Sequence, residues 1–345
     1  MIKLFYDKQL RIEAEKFQLF PLLEVLEMAN SPLKSIYQIV DNMEDCDFGI
    51  IPMNVQFLYL QKKKREVEDF IEKCQFHGKK VLVFSGGDFG LTIKSPQVIT
   101  VRLGGFHSRL DNNTHIMPPF IKDPYLILGK KFHSLEKPLK PSLGFVGHAN
   151  GSILKFCKEY ILHVKGAFNK LVKKDVTDKQ FFYPSSLRRY VYLKNLLKSP
   201  EIVCNFIFRK QYRAGVKTAS EKEKTTHEFY KNINENLYTF CSRGTGNFSV
   251  RFYETLAMGR IPVVIDTDCR LPFYKTINWD SCCIRISEGE INKMEEKIIA
   301  FHTHNPPEKI LSIQQQNRMI WEKYLTKDVY FKELALKLEN IKNTV

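Results

Sequence analysis

The sequence predicts an α/β protein built as two parallel-sheet domains. Three observations carry this reading. Strand and helix signals alternate through residues 1 to about 135. A stretch rich in Lys and Pro without apolar periodicity, Gly129 to Pro141, then interrupts them as an exposed linker. Beyond it, Leu237 to Asp266 reads as a strand, a glycine-bearing loop, one short helix and a second strand. Strands alternating with helices call for a parallel sheet covered on both faces, whose ligands lie beyond the carboxyl ends of the strands. With 345 residues, the chain is long enough for two cores of ordinary size.

Composition narrows the class. Apolar residues make up 43% and charged residues 26%, as in a soluble globular protein, without a low-complexity tract or repeat. No stretch reaches the roughly 20 apolar residues of a membrane span, and Met1 to Tyr6 opens directly into a strand rather than a secretory leader. Eight cysteines lie scattered at 46, 74, 157, 204, 241, 269, 282 and 283 with no CxxC pair, which fits buried free thiols in a reducing cytoplasm and disfavours a zinc cluster. The net charge of +15 points to an anionic partner: nucleic acid, a nucleotide-sugar phosphate, an acidic glycan or an anionic membrane surface touched peripherally.

In the first half, Ile2 to Tyr6 reads as a strand and Phe20 to Met28 as a helix. Cys46 to Pro52 is a second strand, followed by one long helix from Val55 to Phe76 that carries Lys62-Lys-Lys-Arg65 on a solvated face. Lys80 to Ser85 and Gln97 to Leu103 are buried strands. Their carboxyl-end loops are Pro52-Met-Asn54, Ser85-Gly-Gly-Asp88 and Gly104-Gly-Phe-His107. In the second of these the paired glycines admit a ligand, and Asp88 there reads either as a general base or as a turn carboxylate capping nearby N–H groups. His107 has a similar place, with a structural role the commoner one, and Asp45 and Asp47 flank a strand start as turn residues.

In the second half, Ser142 to Val146 is a strand ending at Gly147, with His148 beyond it. Helical patterns follow over Ile153 to Val172 and Ser185 to Leu197. The apolar strand Glu201 to Phe208 runs into Arg209 and Arg213, which read either as a basic surface loop or as forked donors to a diphosphate. Thr218 to Asn236 is a polar helix. In the central unit, Gly244 and Gly246 let the loop after Cys241 turn and approach a ligand, Asn247 or Ser249 caps the helix, and Gly259 stops it. Arg251 in the first turn opposes the helix dipole unless an anion sits beside it, and Glu254 shares its side of the helix. The pair reads either as a surface ion pair or as part of an anion site with Arg243. Asp266-Thr-Asp268 has the spacing of a metal-binding pair. Cys282 to Ile286 is a last strand, and Glu288 to Phe301, Ile310 to Tyr324 and Tyr330 to Ile341 are amphipathic helices.

Arg243-Gly244, Ser249-Val-Arg251-Phe-Tyr253-Glu254-Thr-Leu256 and Gly259-Arg-Ile-Pro262-Val-Val together resemble the exostosin-like glycosyltransferases, family 47. Their typical run is Arg-Gly, Ser-x-Arg-x-Tyr-Glu and Gly-x-Ile-Pro-Val. Leu271-Pro-Phe273 and Ile277-Asn278-Trp279 are similar to that family's Leu-Pro-Phe and Ile-Asp-Trp, with Asn278 where Asp is common. The resemblance covers about 45 residues between 200 and 290. It implies a GT-B-like pair of Rossmann-like domains with C-terminal helices crossing back to the first. The acceptor-side domain would span 1–135, the linker 136–141, the nucleotide-sugar domain 142–310 and the helices 311–345. The implied reaction is inverting transfer from a nucleotide-diphosphate sugar, a UDP-sugar, to a glycan acceptor in polysaccharide or surface-glycan synthesis. Glu254 would accept ribose hydroxyls, Arg209, Arg213, Arg243 and Arg251 would face the phosphates, and Gly244 and Ser249 would shape the loop. After Pro-Val-Val-Ile, as here, the Asp266-x-Asp268 pair implies no metal, and no cofactor is required. Gly144-Phe-Val-Gly-His148-Ala-Asn-Gly151 resembles the phosphate-side loop opening the second domain of two-domain glycosyltransferases. Two other readings stand beside this one. One is a basic nucleic-acid-binding α/β protein, disfavoured because no recognised module or basic-aromatic stripe is present. The other is a polyol-phosphate transferase using a nucleotide donor.

Overall fold

The computed structural model describes residues 1–14, 18–211 and 215–343. Among the described residues eleven strands form two sheets, and every strand pairing within them is parallel. The first holds β1 (Ile2–Phe5), β2 (Tyr37–Ile39), β3 (Phe48–Asn54), β4 (Lys80–Ser85), β5 (Val98–Arg102) and β6 (Thr114–Ile116), in the order β2-β1-β3-β4-β5-β6. The second holds β7 (Ser142–His148), β8 (Val203–Arg209), β9 (Tyr238–Cys241), β10 (Ile261–Asp266) and β11 (Ile284–Ser287), in the order β11-β10-β9-β7-β8. The helices are α1 (Lys8–Ala14), α2 (Pro21–Leu26), α3 (Val55–Leu60), α4 (Lys64–Phe76), α5 (Pro124–Leu128), α6 (Ile153–Leu171), α7 (Ser185–Leu196), α8 (Ala219–Glu235), α9 (Val250–Ala257), α10 (Met294–His304), α11 (Pro307–Ile320) and α12 (Lys327–Lys342).

Most boundaries follow local chemistry. β3 and β5 are buried along their whole length, which is why they read as continuous apolar runs rather than alternating ones. α8 opens with a complete capping box, Thr218 accepting from the Glu221 amide and Glu221 reaching back to the Thr218 amide. One expectation fails: Val55 to Phe76 is two helices, not one. The chain breaks at Lys62, which takes a left-handed φ of 64°, and α4 restarts two residues later. The break turns α4 so that Val67, Phe70, Ile71 and Cys74 pack under β3 and β4. The basic run Lys62–Arg65 therefore sits at a helix junction rather than along a helix face. The three-residue strands β2 and β6 carry too few residues for a period-two pattern to show in sequence.

Residues 129–141 have no helix or strand beyond the last turn of α5, yet they are pinned to the second unit. The Leu135 amide donates to Gln314 Oε1 at 2.8 Å, and the Arg260 guanidinium reaches the His133 carbonyl at 3.0 Å.

The C-terminal helices cross back to the first sheet. α12 buries Tyr330, Phe331, Leu334, Ala335 and Leu338. The Tyr37 hydroxyl donates to the Phe331 carbonyl at 2.7 Å, and Lys342 pairs with Asp47 at 2.8 Å. One apolar cluster joins Ile2 and Leu4 of β1, Phe252 and Leu256 of α9, and Phe331 and Leu334 of α12. The motif residues Phe273 and Trp279 belong to it too, Phe273 against Tyr330 with ring centroids 5.3 Å apart and Trp279 donating to the Pro272 carbonyl at 2.9 Å. The Leu-Pro-Phe and Ile-Asn-Trp segments thus build the joint between the units. A core shared across both units makes their unfolding cooperative. Leu334→Ala is expected to cost about 2–5 kcal/mol, with both units lost in a single denaturant transition followed by far-UV circular dichroism and tryptophan fluorescence.

Candidate active site

The carboxyl ends of the two sheets face each other, and several contacts join them. Asp178, from the segment after α6, accepts from Arg102 at the end of β5 (2.8 Å) and from the Thr92 amide (2.9 Å) and hydroxyl (2.8 Å). Arg102 is buried and also holds the carbonyls of Gly104 and Phe89, so it fixes both first-unit loops that face the second unit. Asn247, buried after β9, donates toward the carbonyls of Gly105, Thr267 and Asp268 and accepts from the Thr267 hydroxyl. Arg270 reaches across to the carbonyls of His107, Leu110 and Asp111.

Between these contacts the Asp88 loop meets the glycine loop after β9. A Cβ on Gly246 would lie 2.5 Å from the Asp88 carbonyl oxygen, so only glycine permits the approach. Gly244 differs: its φ is not left-handed, and a Cβ there would meet nothing within 4 Å. It lies open to the cleft, so the turn itself does not require glycine. The two stretches singled out in opposite halves of the sequence are thus brought together. The Asp88 carboxyl is raised above its ordinary range by burial against the facing loop, and Arg243 draws it partly back.

On the second-unit side three guanidiniums are clustered. Arg243, at the end of β9, is 5% exposed, donates to the Thr245 carbonyl at 2.8 Å, and lies over the Tyr183 and Phe106 rings at 4.8 and 5.4 Å. Arg251 reaches from α9 to the Val146 carbonyl of β7 at 2.7 Å and stacks over Phe145 at 4.4 Å. Arg189 of α7 ties Ser242 Oγ (3.0 Å), the His148 carbonyl (2.6 Å) and the Arg243 carbonyl (3.0 Å). Among the described residues none of the three has a carboxylate within ion-pair distance. Burial lowers the pKa of each, Arg189 to about 10 with Arg251 as the next cause. The Nε atoms of Arg243 and Arg251 and the Tyr183 hydroxyl are buried without a hydrogen-bond partner.

The other expected residues take distinct places. Glu254 shares one side of α9 with Arg251 and accepts from the Tyr230 hydroxyl at 3.2 Å. Burial pushes its carboxyl up to about 7, against the opposing pull of Arg251 and Tyr230. Arg209, at the end of β8, is paired with Glu228 (2.7 Å) and bound to the Thr225 carbonyl (2.8 Å), which fastens β8 to α8. Arg213 lies outside the described residues. Ser249 occupies the N-cap position of α9 but its side chain makes no capping bond, and Asn247 serves the clamp instead of the cap. His107 accepts from the Arg270 Nε at 3.2 Å and is structural. His148 lies beside the Ser186 hydroxyl (3.4 Å), its pKa lowered first by burial and then by Lys155 and Arg189. Asp266 pairs with Arg285 and accepts from the Cys269 amide at 3.1 Å, while Asp268 accepts from the Ser108 amide at 3.2 Å, so both carboxylates have protein partners. They border a cavity of about 280 Å³ with His107, Arg270 and Trp279.

Sequence reading missed Tyr183, Arg188 and Arg189. Arg188 pairs with Glu288 and stacks over Tyr183, which in turn covers Arg243. The available signal was an Arg-Arg pair in the first turns of a helix entered through Tyr183-Pro184, but nothing local to α7 says that its first turns point at the ends of β7 and β9.

Two facing parallel α/β units, with C-terminal helices returning to the first and buried guanidiniums at the strand ends of the second, define a GT-B-like architecture. Residues 192–300 match the family model of the Exostosin GT47 domain. Exostosin-1 of Bos taurus is 29% identical over 121 residues, 34% of this chain and 16% of that protein. Exostosin-1 of Drosophila melanogaster is 33% identical over 88 residues, 25% of this chain and 11% of that one. Over residues 192–300 the second unit is thus similar to the Exostosin GT47 domain of glycosyltransferase family 47. It spans about a sixth of the length of the bovine relative. A solved glycosyltransferase from Rickettsia africae aligns over 99% of this chain with a TM-score of 0.40 and 10% identity, too loose a likeness to argue from.

Two substitutions test this geometry. A carboxyl whose folded pKa lies above its unfolded value stabilises the fold below the unfolded pKa, and that contribution is lost as pH rises through the folded one. Glu254, at about 7, should therefore weaken the protein between pH 5 and pH 8. Glu254→Gln is expected to remove that component, by up to about 3 kcal/mol, in urea titrations across this range. Gly246→Ala is expected to destabilise by about 1–3 kcal/mol, because the Asp88 loop must withdraw. Gly244→Ala should leave the melting temperature unchanged.

Proposed function

We propose that this chain is an inverting glycosyltransferase that moves a sugar from a nucleotide-diphosphate donor, a UDP-sugar, to a glycan acceptor in cytoplasmic polysaccharide or surface-glycan synthesis. The observation that supports it most is the cluster of buried Arg243 with half-buried Arg189 and Arg251 at the ends of β7 and β9, without a described carboxylate in ion-pair distance. Buried cations are costly unless an anion compensates them, and guanidinium forks suit a diphosphate. The unpartnered Nε of Arg243 and hydroxyl of Tyr183 supply donors for it. The N-terminus of α9 adds free N–H groups and a favourable dipole.

In this reading the Asp88 carboxylate takes the proton of an acceptor hydroxyl, whose oxygen attacks the anomeric carbon from the first-unit side. The bond from that carbon to the diphosphate breaks, and the departing negative charge passes to Arg243 and the α9 amides. Arg251 orients the strand ends through the Val146 carbonyl, and Glu254 in its ionised form accepts the ribose hydroxyls. Stabilisation of the leaving charge by fixed donors needs no metal.

Thermal shift against a panel of nucleoside diphosphates and nucleotide sugars tests the donor, since a ligand that binds only the folded state raises the melting temperature. A uridine nucleotide is expected to give the largest rise. Arg243→Ala should lower turnover at least about 100-fold, and activity should survive excess chelator. Asp88→Asn should keep nucleotide binding but lose transfer. In the parent the rate should fall as pH drops through the raised Asp88 pKa, above the ordinary carboxylate range. Unchanged nucleotide affinity in Arg243→Ala, or loss of activity in chelator restored by Mn²⁺, would overturn the assignment.

A further inference from the structure

α6 is amphipathic in the reverse sense of an ordinary surface helix. None of its residues is buried. The side against the protein carries Phe156, His163 and Lys170, with Phe156 and His163 resting on the Phe182 ring at 5.5 and 5.4 Å. The outward side carries Ile153, Ile161, Val164, Phe168 and Leu171, which are 78%, 65%, 49%, 59% and 79% exposed. With the exposed Cys157 filling the eight-residue interval from Ile153 to Ile161, spacings of three and four residues make one stripe, about 28 Å long at the rise of an α-helix. Exposed apolar groups scattered singly need no explanation, but a continuous stripe on a helix does.

The charges say what covers it. Lys158 and Lys165 stand one helical turn either side of Ile161 and edge the stripe, and Lys173 and Lys174 follow its end. The helix's one acid, Glu159, lies on the inner side and is paired with Lys155 at 3.6 Å. A second copy of the chain would set these lysines against one another and add to the repulsion between molecules of net charge +15. An anionic bilayer satisfies both features, taking the apolar side chains into the acyl boundary and the lysines at the lipid phosphates. Among the described residues no helix is long and apolar enough to cross a membrane, so the geometry is that of a helix lying in the interface.

We propose that α6 docks flat on an anionic lipid bilayer. The helix starts just past His148–Gly151 at the end of β7, and the chain leaving it clasps Arg102 of the first unit through Asp178. Docking therefore places the rim of the cleft against the membrane. Binding to lipid does not depend on the sugar-transfer reading; only the inference that the acceptor is membrane-borne rests on it.

The test is flotation of the full chain with phosphatidylcholine vesicles, with and without phosphatidylglycerol. The parent should bind the anionic vesicles and not the neutral ones. Ile161→Glu with Val164→Glu, both on exposed sites that leave the fold unstrained, should lower that affinity at least tenfold. Lys158→Gln and Lys165→Gln should each lower it roughly fivefold, and circular dichroism confirms folding in every variant. Failure of the parent to bind anionic vesicles, equal binding by the double glutamate variant, or a parent dimer that this variant dissolves would each overturn the proposal.

Discussion

Two parallel sheets whose carboxyl ends face one another bring rows of main-chain carbonyls together, and the fold depends on supplying donors to them. Arginine does this at nearly every joint. Arg102 holds the carbonyls of Phe89 and Gly104, Arg189 those of His148 and Arg243, and Arg251 that of Val146. Arg270 holds His107, Leu110 and Asp111, and at the opposite, amino end of the second sheet Arg260 holds Asn234 and His133. A guanidinium has five N–H donors in a rigid plane and no acceptor, so one side chain can close several loop ends at once. Lysine, a single point of charge, cannot bridge them in this way.

The same solution creates the chemistry. Each guanidinium that closes a loop also carries a full charge into a poorly solvated place. At Arg102 Asp178 neutralises it, and at Arg209 Glu228 does. At Arg189, Arg243 and Arg251 no described carboxylate lies within ion-pair distance, and the Arg243 charge is felt at Asp88 of the facing loop. Loop closure thus leaves positive charge at the strand ends, and Arg243 and Arg251 of the β9–α9 unit bond mainly to the backbone. Some of the basic residues in the composition serve as internal scaffolding, and others edge α6.

Local sequence determined much of this. β3, β4, β5 and β10 are buried apolar runs, and Thr218 with Glu221 marks the start of α8; both signals arise from neighbours along the chain. The stretch from Leu237 to Asp266 sets a strand, loop, helix and strand, and with them the register of Arg251 and Glu254 on one side of α9. Tertiary structure alone decided the rest, because it depends on groups distant in sequence. Lys62 breaks the helix after β3 since α4 must swing beneath β3 and β4. Gly246 is needed for the approach of Asp88, 158 positions away, whereas Gly244 is not needed for its turn. Arg189 joins the site because α7 packs its first turns over the ends of β7 and β9. α6 shows the same division from the other side: its periodicity is visible in the sequence, but periodicity fixes only which residues share a face. Which face the protein covers is settled by the fold, and here the apolar one is left outward.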